Sequence, residues 1–131
     1  MKNGSLDAVL AHIDDNLDFS RERWFELLRI PSISAQPAHR QDCIRAATHM
    51  RDLLAEMGFE ARLAETKGLP GVIARHHKAG SNAPHVLFYG HYDVQPPEPL
   101  ELWESDPFNP QFKDGPRGKQ VVARGAVDDK G

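Results

Sequence analysis

Apolar residues recur at helical spacing over residues 5–30, with charged residues between them. The apolar positions are Leu6, Val9, Leu10, Ile13, Leu17, Trp24, Leu27 and Leu28. This spacing places them on one face of a helix and predicts helical structure from Ser5 to about Ile30. Ser20 is of a helix-capping residue type, so the segment is either one bent helix or two short helices. Pro31 ends it.

A further helix is predicted from Arg40 to Met57, because Gly58 follows in the position of a left-handed C-terminal cap. Beyond it the pattern changes to that of short strands. Strands are predicted around 59–63, 71–76, 85–90, 108–113 and 120–124. The run 85–90 is almost entirely apolar, which is typical of a strand buried inside a sheet. Helices followed by strands predict a layered α/β or α+β domain.

Composition narrows the class of protein. Of 131 residues, 40% are hydrophobic and 27% are charged, which is typical of one soluble globular domain. The net charge is -3 and no long basic run exists, so neither nucleic acid nor an anionic membrane is an expected partner. Four aspartates interrupt the apolar pattern of the N-terminal segment, which excludes a secretory signal or membrane span there. The single cysteine, Cys43, fits a reducing compartment, so the cytoplasm is the expected location.

His91 and Asp93 follow the apolar run 85–90. Side chains two positions apart on an extended chain point the same way, and ligand sites of open α/β sheets collect just past the carboxyl ends of strands. Imidazole binds zinc, cobalt or manganese, and a nearby carboxylate can accept its other ring N–H. The pair is therefore a candidate metal ligand with its orienting group. The alternative is a capped strand end whose side chains bond to turn amides.

Asp128 and Asp129 form an acidic pair in the turn between Gly125 and Gly131. Adjacent carboxylates repel each other unless a cation or a row of backbone N–H groups lies nearby. A metal site provides the first, and the N-terminus of a helix provides the second. Both interpretations remain open from the spacing alone.

Four segments together resemble a known family. They are LLRIPSIS, LFYGHYDVQPPEPLELW, DPFNPQFKDG and VVARGAVDDKG, in that order. Their types and order are similar to those of the zinc aminoacylase and carboxypeptidase superfamily, which includes acetylornithine deacetylase, succinyl-diaminopimelate desuccinylase and carnosinase-type dipeptidases. The resemblance covers nearly the whole chain, and the loop after His91 is most similar to the dipeptidase branch.

The resemblance implies a fold and a site. Residues 1–131 are expected to be the N-terminal portion of a catalytic metallohydrolase domain, an α/β layered fold with a central mixed sheet flanked by helices. His91 matches a ligand of one metal in a two-metal centre, and Asp93 matches the acidic residue that orients it and counts as catalytic. Asp128 matches the carboxylate that bridges both ions, joined to Asp129 by a cis peptide bond. The implied cofactors are two divalent ions, most often zinc, with cobalt or manganese as alternatives.

The implied function is hydrolysis of amide bonds in dipeptides or N-acyl amino acids, by a family whose members are often homodimers. The family's general-base glutamate and its remaining ligands follow the DDKG motif, where this chain ends. We therefore expect that the C-terminal part and the lid or dimerisation domain are missing, and that the chain alone is inactive. Glu98, Glu101 and Glu104 precede the motif and do not replace those groups. The alternative function is a non-catalytic binding or assembly module that retains the fold.

Overall fold

The computed structural model describes residues 4–128 and 130–131. The first predicted helical segment forms two helices, α1 (Gly4–Asp15) and α2 (Leu17–Leu28). They separate at Asn16, whose side-chain amide donates to the main-chain oxygen of His12 over 2.8 Å and so ends α1. The cap of α2 is Asn16 rather than Ser20, which lies inside that helix. Helix α3 (Arg40–Glu56) follows where the sequence predicts it.

The strands form two hairpins. Strand β1 (Glu60–Ala64) pairs antiparallel with β2 (Gly71–Arg75), and β3 (Gln111–Gly115) pairs antiparallel with β4 (Gly118–Val122). Short 3-10 turns lie at Pro37–His39 and Leu100–Leu102. Helix α3 packs against the first hairpin, because its apolar face needs an apolar partner. The α/β class is thereby confirmed. Within the described ranges, no helix is long and apolar enough to cross a membrane.

The predicted buried strand at 85–90 is wrong for the described structure. This segment forms no strand, and Leu87, Phe88 and Tyr89 are 92%, 90% and 92% exposed. An interior strand needs hydrogen-bonded neighbours on both sides and cover on both faces, and no strand in residues 4–128 pairs with this one. The described strands accordingly form two separate two-stranded sheets rather than a central mixed sheet.

The buried core lies between the C-terminal half of α2, helix α3 and the residues that follow the exposed segment. Leu28, Cys43 and Ser32 are its largest fully buried side chains. Leu27, Ile30 and Ala46 form an apolar cluster against which Met50 and Tyr92 pack. Tyr92 stands between His91 and Asp93 in the chain, so its packing against this core holds the candidate site in place.

Candidate metal centre

The loop after α2 holds the segment that carries His91 and Asp93. Ile33 and Val94 form a parallel β-bridge, in which the Val94 N–H donates to the Ser32 carbonyl over 3.0 Å. The Ser32 hydroxyl donates to the Tyr92 carbonyl over 2.6 Å. Ser32 is fully buried, so solvent does not compete for this bond. Residues 92–94 are therefore held against the loop after α2 by one main-chain hydrogen bond and one side-chain hydrogen bond.

His91 and Asp93 interact directly. The Nδ1 atom of His91 lies 3.0 Å from the main-chain oxygen of Asp93 and 3.1 Å from its Oδ1. A carbonyl oxygen can only accept a hydrogen bond, so Nδ1 carries the hydrogen and donates it. In the neutral ring, Nε2 then presents its lone pair, which is the form that binds a metal.

The other carboxylate oxygen of Asp93 is held from a different part of the chain. The hydroxyl of Ser34 donates to Oδ2 of Asp93. The two oxygens of one carboxylate are therefore bonded by two different side chains, His91 on one side and Ser34 on the other. The sequence does not single out Ser34, because a serine in a proline-flanked loop is ordinary turn composition.

Asp128 approaches the imidazole from the C-terminal turn. Its Oδ1 lies 3.9 Å from Nε2 of His91. The turn is possible because Gly125 adopts a φ of +85°, and a Cβ there would stand 2.8 Å from Cγ1 of Val94. The main-chain N–H of Lys130 closes the turn by donating to the Gly125 carbonyl over 2.8 Å. The structure thus brings all three predicted site residues, His91, Asp93 and Asp128, together.

Lys130 anchors the same turn to helix α2. Its ammonium group is buried and donates to the main-chain oxygens of Leu27 and Ile30, each over 2.9 Å. Burial lowers the pKa of Lys130 to about 8. The Leu27 carbonyl lies in the last turn of α2 and the Ile30 carbonyl lies just beyond the helix, and the C-terminal end of a helix attracts cations. Sequence reasoning missed this role because lysine is rarely buried.

His91 and Asp128 approach the spacing of two ligands of one cation. Zinc binds imidazole nitrogen at about 2.0–2.1 Å and carboxylate oxygen at about 2.0–2.2 Å, and its tetrahedral geometry places two such ligand atoms about 3.4 Å apart. The separation of 3.9 Å between His91 Nε2 and Asp128 Oδ1 exceeds that spacing by about 0.5 Å. Among the described residues, however, no group of three histidine, cysteine or acidic side chains forms a ligand cluster. Asp129 and the cis bond predicted before it lie outside those residues.

A pocket of about 460 Å³ opens beside His91 and Asp93. Its remaining wall combines the start of β2 with the exposed segment, and includes Leu69, Val72, Phe88 and Tyr89. Its lining combines these apolar side chains with the polar groups of His91 and Asp93, which converge there as the polar groups of ligand pockets do. Of the glutamates that the sequence analysis set aside, Glu104 accepts from Lys113 over 2.7 Å, and this hydrogen bond lowers the pKa of its carboxyl group.

Comparison with known proteins identifies the family to which this fold belongs. The model of peptidase family M20/M25/M40 matches residues 87–131. Succinyl-diaminopimelate desuccinylase from Thioalkalivibrio sulfidiphilus is 36% identical over 118 residues, which is 90% of this chain and 27% of the relative. The Bordetella avium desuccinylase is 36% identical over 105 residues, or 80% of this chain and 24% of the relative.

Two solved structures share the fold. The di-peptidase Dug1p from Saccharomyces cerevisiae matches with a TM-score of 0.84 and 25% identity, over 98% of this chain and 29% of Dug1p. Human carnosine dipeptidase 1 matches with a TM-score of 0.79 and 31% identity, over 95% of this chain and 28% of that protein. The chain belongs to the zinc aminoacylase and carboxypeptidase superfamily. It spans about a quarter of the length of the curated relatives it matches.

Proposed function

We propose that this chain contributes His91, Asp93 and Asp128 to the metal centre of a hydrolase that cleaves amide bonds in dipeptides or N-acyl amino acids. The observation that carries the proposal is the 3.9 Å separation of His91 Nε2 and Asp128 Oδ1. Two side chains from distant segments come within about 0.5 Å of the spacing of two ligands of one tetrahedral ion. The names of the relatives support amide hydrolysis, since one class removes a succinyl group and the other cleaves dipeptides.

Each residue has a distinct role. Asp93 accepts the Nδ1 hydrogen of His91 and thereby keeps Nε2 available as a ligand. Asp128 would supply the carboxylate for two divalent ions, with zinc preferred and cobalt or manganese as alternatives. When bound, such ions would polarise an amide carbonyl and make water a better nucleophile at neutral pH. The pocket beside His91 is the proposed substrate site.

A chimaeric enzyme tests the proposal. The part of the Thioalkalivibrio sulfidiphilus desuccinylase that aligns with this chain is replaced by this chain, and desuccinylation is measured. We expect activity, and a loss of at least about 100-fold on His91→Ala or Asp128→Ala, because removing a ligand costs more than removing an outer partner of one. His77→Ala is the matched control, since the His77 ring is exposed and packs against the ring of His85, with 5.3 Å between the ring centroids. Full activity of the His91→Ala chimaera contradicts the proposal.

The chain on its own is expected to bind metal weakly and to have no turnover. A catalytic zinc normally has three protein ligands, whereas the described part of this site brings together His91 and Asp128. Zinc titration by calorimetry and a dipeptide hydrolysis assay measure both properties. Sub-micromolar affinity, or hydrolysis that a chelator abolishes, contradicts this expectation.

The second candidate function is a non-catalytic binding or assembly module. The exposed apolar run Val86–Tyr89 favours it, because contiguous exposed apolar surface marks interaction sites. The chimaera separates the two functions: an active chimaera that depends on His91 supports the enzyme, whereas a folded and inactive one supports the module.

A further inference from the structure

We propose that Ser34 is a positioning residue for the metal-binding imidazole of His91, which it controls through Asp93. The inference rests on the proposed function of the site. It extends that function from the proposed ligands and Asp93 to a residue in the loop after α2. None of the roles proposed for the site belongs to that loop.

The first step of the argument is the bonding of Asp93. Its Oδ2 accepts from the Ser34 hydroxyl, and its Oδ1 lies 3.1 Å from Nδ1 of His91. The terminal torsion of aspartate is broad and weakly restricted, so a carboxylate held at one oxygen can still rotate. Held at both oxygens, it keeps one orientation. Ser34 therefore fixes the plane in which Asp93 meets the imidazole.

The second step is the rigidity of the serine itself. The Ile33–Val94 bridge joins the residues next to Ser34 and Asp93 in register. Ser32, two positions earlier, bonds the main chain of Tyr92 over 2.6 Å. Ser34 itself lies in the turn that follows the bridge, which the Gln36 N–H closes by donating to the Ile33 carbonyl over 3.2 Å. The main chain on both sides of Ser34 is therefore held by hydrogen bonds.

The third step concerns the direction of the bond. Nδ1 of His91 lies near two acceptors, the main-chain oxygen of Asp93 at 3.0 Å and its Oδ1 at 3.1 Å. Both favour the ring form that carries the hydrogen on Nδ1, and Ser34 holds the second acceptor in place. The Nε2 atom faces Asp128 at 3.9 Å. Without Ser34, the carboxylate is expected to sample other orientations, so the main-chain oxygen alone would hold the Nδ1–H, and the fraction of His91 in this ring form is expected to fall.

The tautomer of His91 is the direct measurement. Long-range proton–nitrogen NMR at pH 8, where free histidine is neutral, distinguishes the two ring forms, and His91→Ala identifies the signal. We expect the Nδ1–H form to dominate in the wild-type chain. In Ser34→Ala the signal is expected to move towards the mixture shown by free histidine, and Ser34→Thr, which retains the hydroxyl, is expected to restore it.

Cobalt(II) affinity is the second measurement, followed by paramagnetic broadening of the His91 ring signals. Outer partners of metal-bound histidines typically contribute about 10–100-fold to affinity. Ser34 is one bond further out and exposed, so a loss of roughly 3- to 10-fold is expected. Ser32→Ala is the matched control, because Ser32 lies in the same loop and is fully buried but bonds a main-chain oxygen.

The outcomes separate cleanly. A shifted tautomer and weaker cobalt binding in Ser34→Ala, restored by threonine, support the inference. An unchanged tautomer overturns it, and so does a loss of affinity in Ser34→Ala that merely parallels a loss of unfolding free energy seen equally in Ser32→Ala. If His91→Ala binds cobalt as well as the wild type does, the proposed function fails instead, and the tautomer measurement still decides whether Ser34 positions the ring.

Discussion

Single residues determine whether the C-terminal turn can carry Asp128 to the imidazole. Gly125 supplies a backbone conformation and an absence of side-chain volume that other residues lack. Lys130 supplies a buried ammonium that donates to the carbonyls of Leu27, in the last turn of α2, and of Ile30, just after the helix. Both residues act on the position of the turn rather than on a ligand directly. Their effects can therefore be measured as changes in the free energy of unfolding.

Replacing Gly125 with alanine should destabilise the chain through two separate effects. The positive φ costs about 1–2 kcal/mol for any L side chain, and the contact of 2.8 Å with Val94 adds roughly 1–3 kcal/mol of overpacking. Gly118→Ala is the control, because Gly118 also has a positive φ but has no atom within 4 Å of the added Cβ. Urea unfolding measures both variants. Equal losses of unfolding free energy would show that the contact with Val94 is easily relieved.

Cys43 should make stability depend on alkaline pH. Burial raises the pKa of its thiol above the ordinary value of 9.0, and the neighbouring Asp93 adds to the shift. Above about pH 9 the unfolded chain loses the thiol proton while the folded chain keeps it, so the free energy of unfolding falls as pH rises. The fall ends once pH exceeds the raised pKa of the folded state.

Urea unfolding of the wild type and of Cys43→Ala between pH 7 and pH 10 checks this expectation. The wild type should lose stability relative to the variant from about pH 9 upward. Tyr92 and Lys130 also have shifted pKa values, and the charge of Cys43 contributes to both shifts. The difference between the two curves therefore reports the thiol together with its coupling to these two groups. Parallel curves contradict the prediction.

At the level of elements, the run Val86–Tyr89 is an extended apolar segment without a paired strand among the described residues. Such a segment offers unpaired main-chain groups and apolar side chains to another chain. The helix α1 adds a second uncovered surface, since Leu6, Val9 and Ile13 are all more than half exposed. Both surfaces are formed by apolar patterns of a kind that is usually buried, and no described element covers them.

This chain alone is therefore expected to self-associate through Val86–Tyr89. Leu87→Lys should reduce association, because a charge on an exposed strand opposes pairing with a second copy. Leu102→Lys is the control: Leu102 is also an exposed leucine and lies outside the segment. Sedimentation velocity over a range of concentrations provides the measurement. A monodisperse wild-type monomer contradicts the prediction, as does an equal effect of the two variants.

Across the whole molecule, local stability should be uneven. The amides of 86–89 have no strand partner in residues 4–128, whereas the Val94 N–H bonds the Ser32 carbonyl over 3.0 Å beside the buried core. Native-state hydrogen exchange at low protein concentration should find no protection in the first group and strong protection at Val94. The paired amides of β1 and β2 serve as an internal reference. Protection of 86–89 in the monomer would contradict the observed exposure.

The elements that the sequence predicts well are those that local patterns determine. Helix α3 and the four strands follow from periodicity and turn residues, which act over a few positions. The failure of 85–90 to form a strand is not predictable in the same way, because strand pairing depends on neighbouring segments as well as on the residues of the strand itself. His91, Asp93 and Asp128 are predicted site residues from spacing and resemblance, and the structure places them near one another. Ser34 and Lys130 were missed, because their contacts join segments that are far apart in the chain.

The bonds from Lys130 to Leu27 and Ile30 join residues 103 and 100 positions apart. Contacts of such sequence separation form late, since the closure of a long loop must precede them. The anchor holds the turn that carries Asp128, so the approach of Asp128 to His91 is expected to form late in folding. The proposed site would therefore be complete only in the fully folded chain.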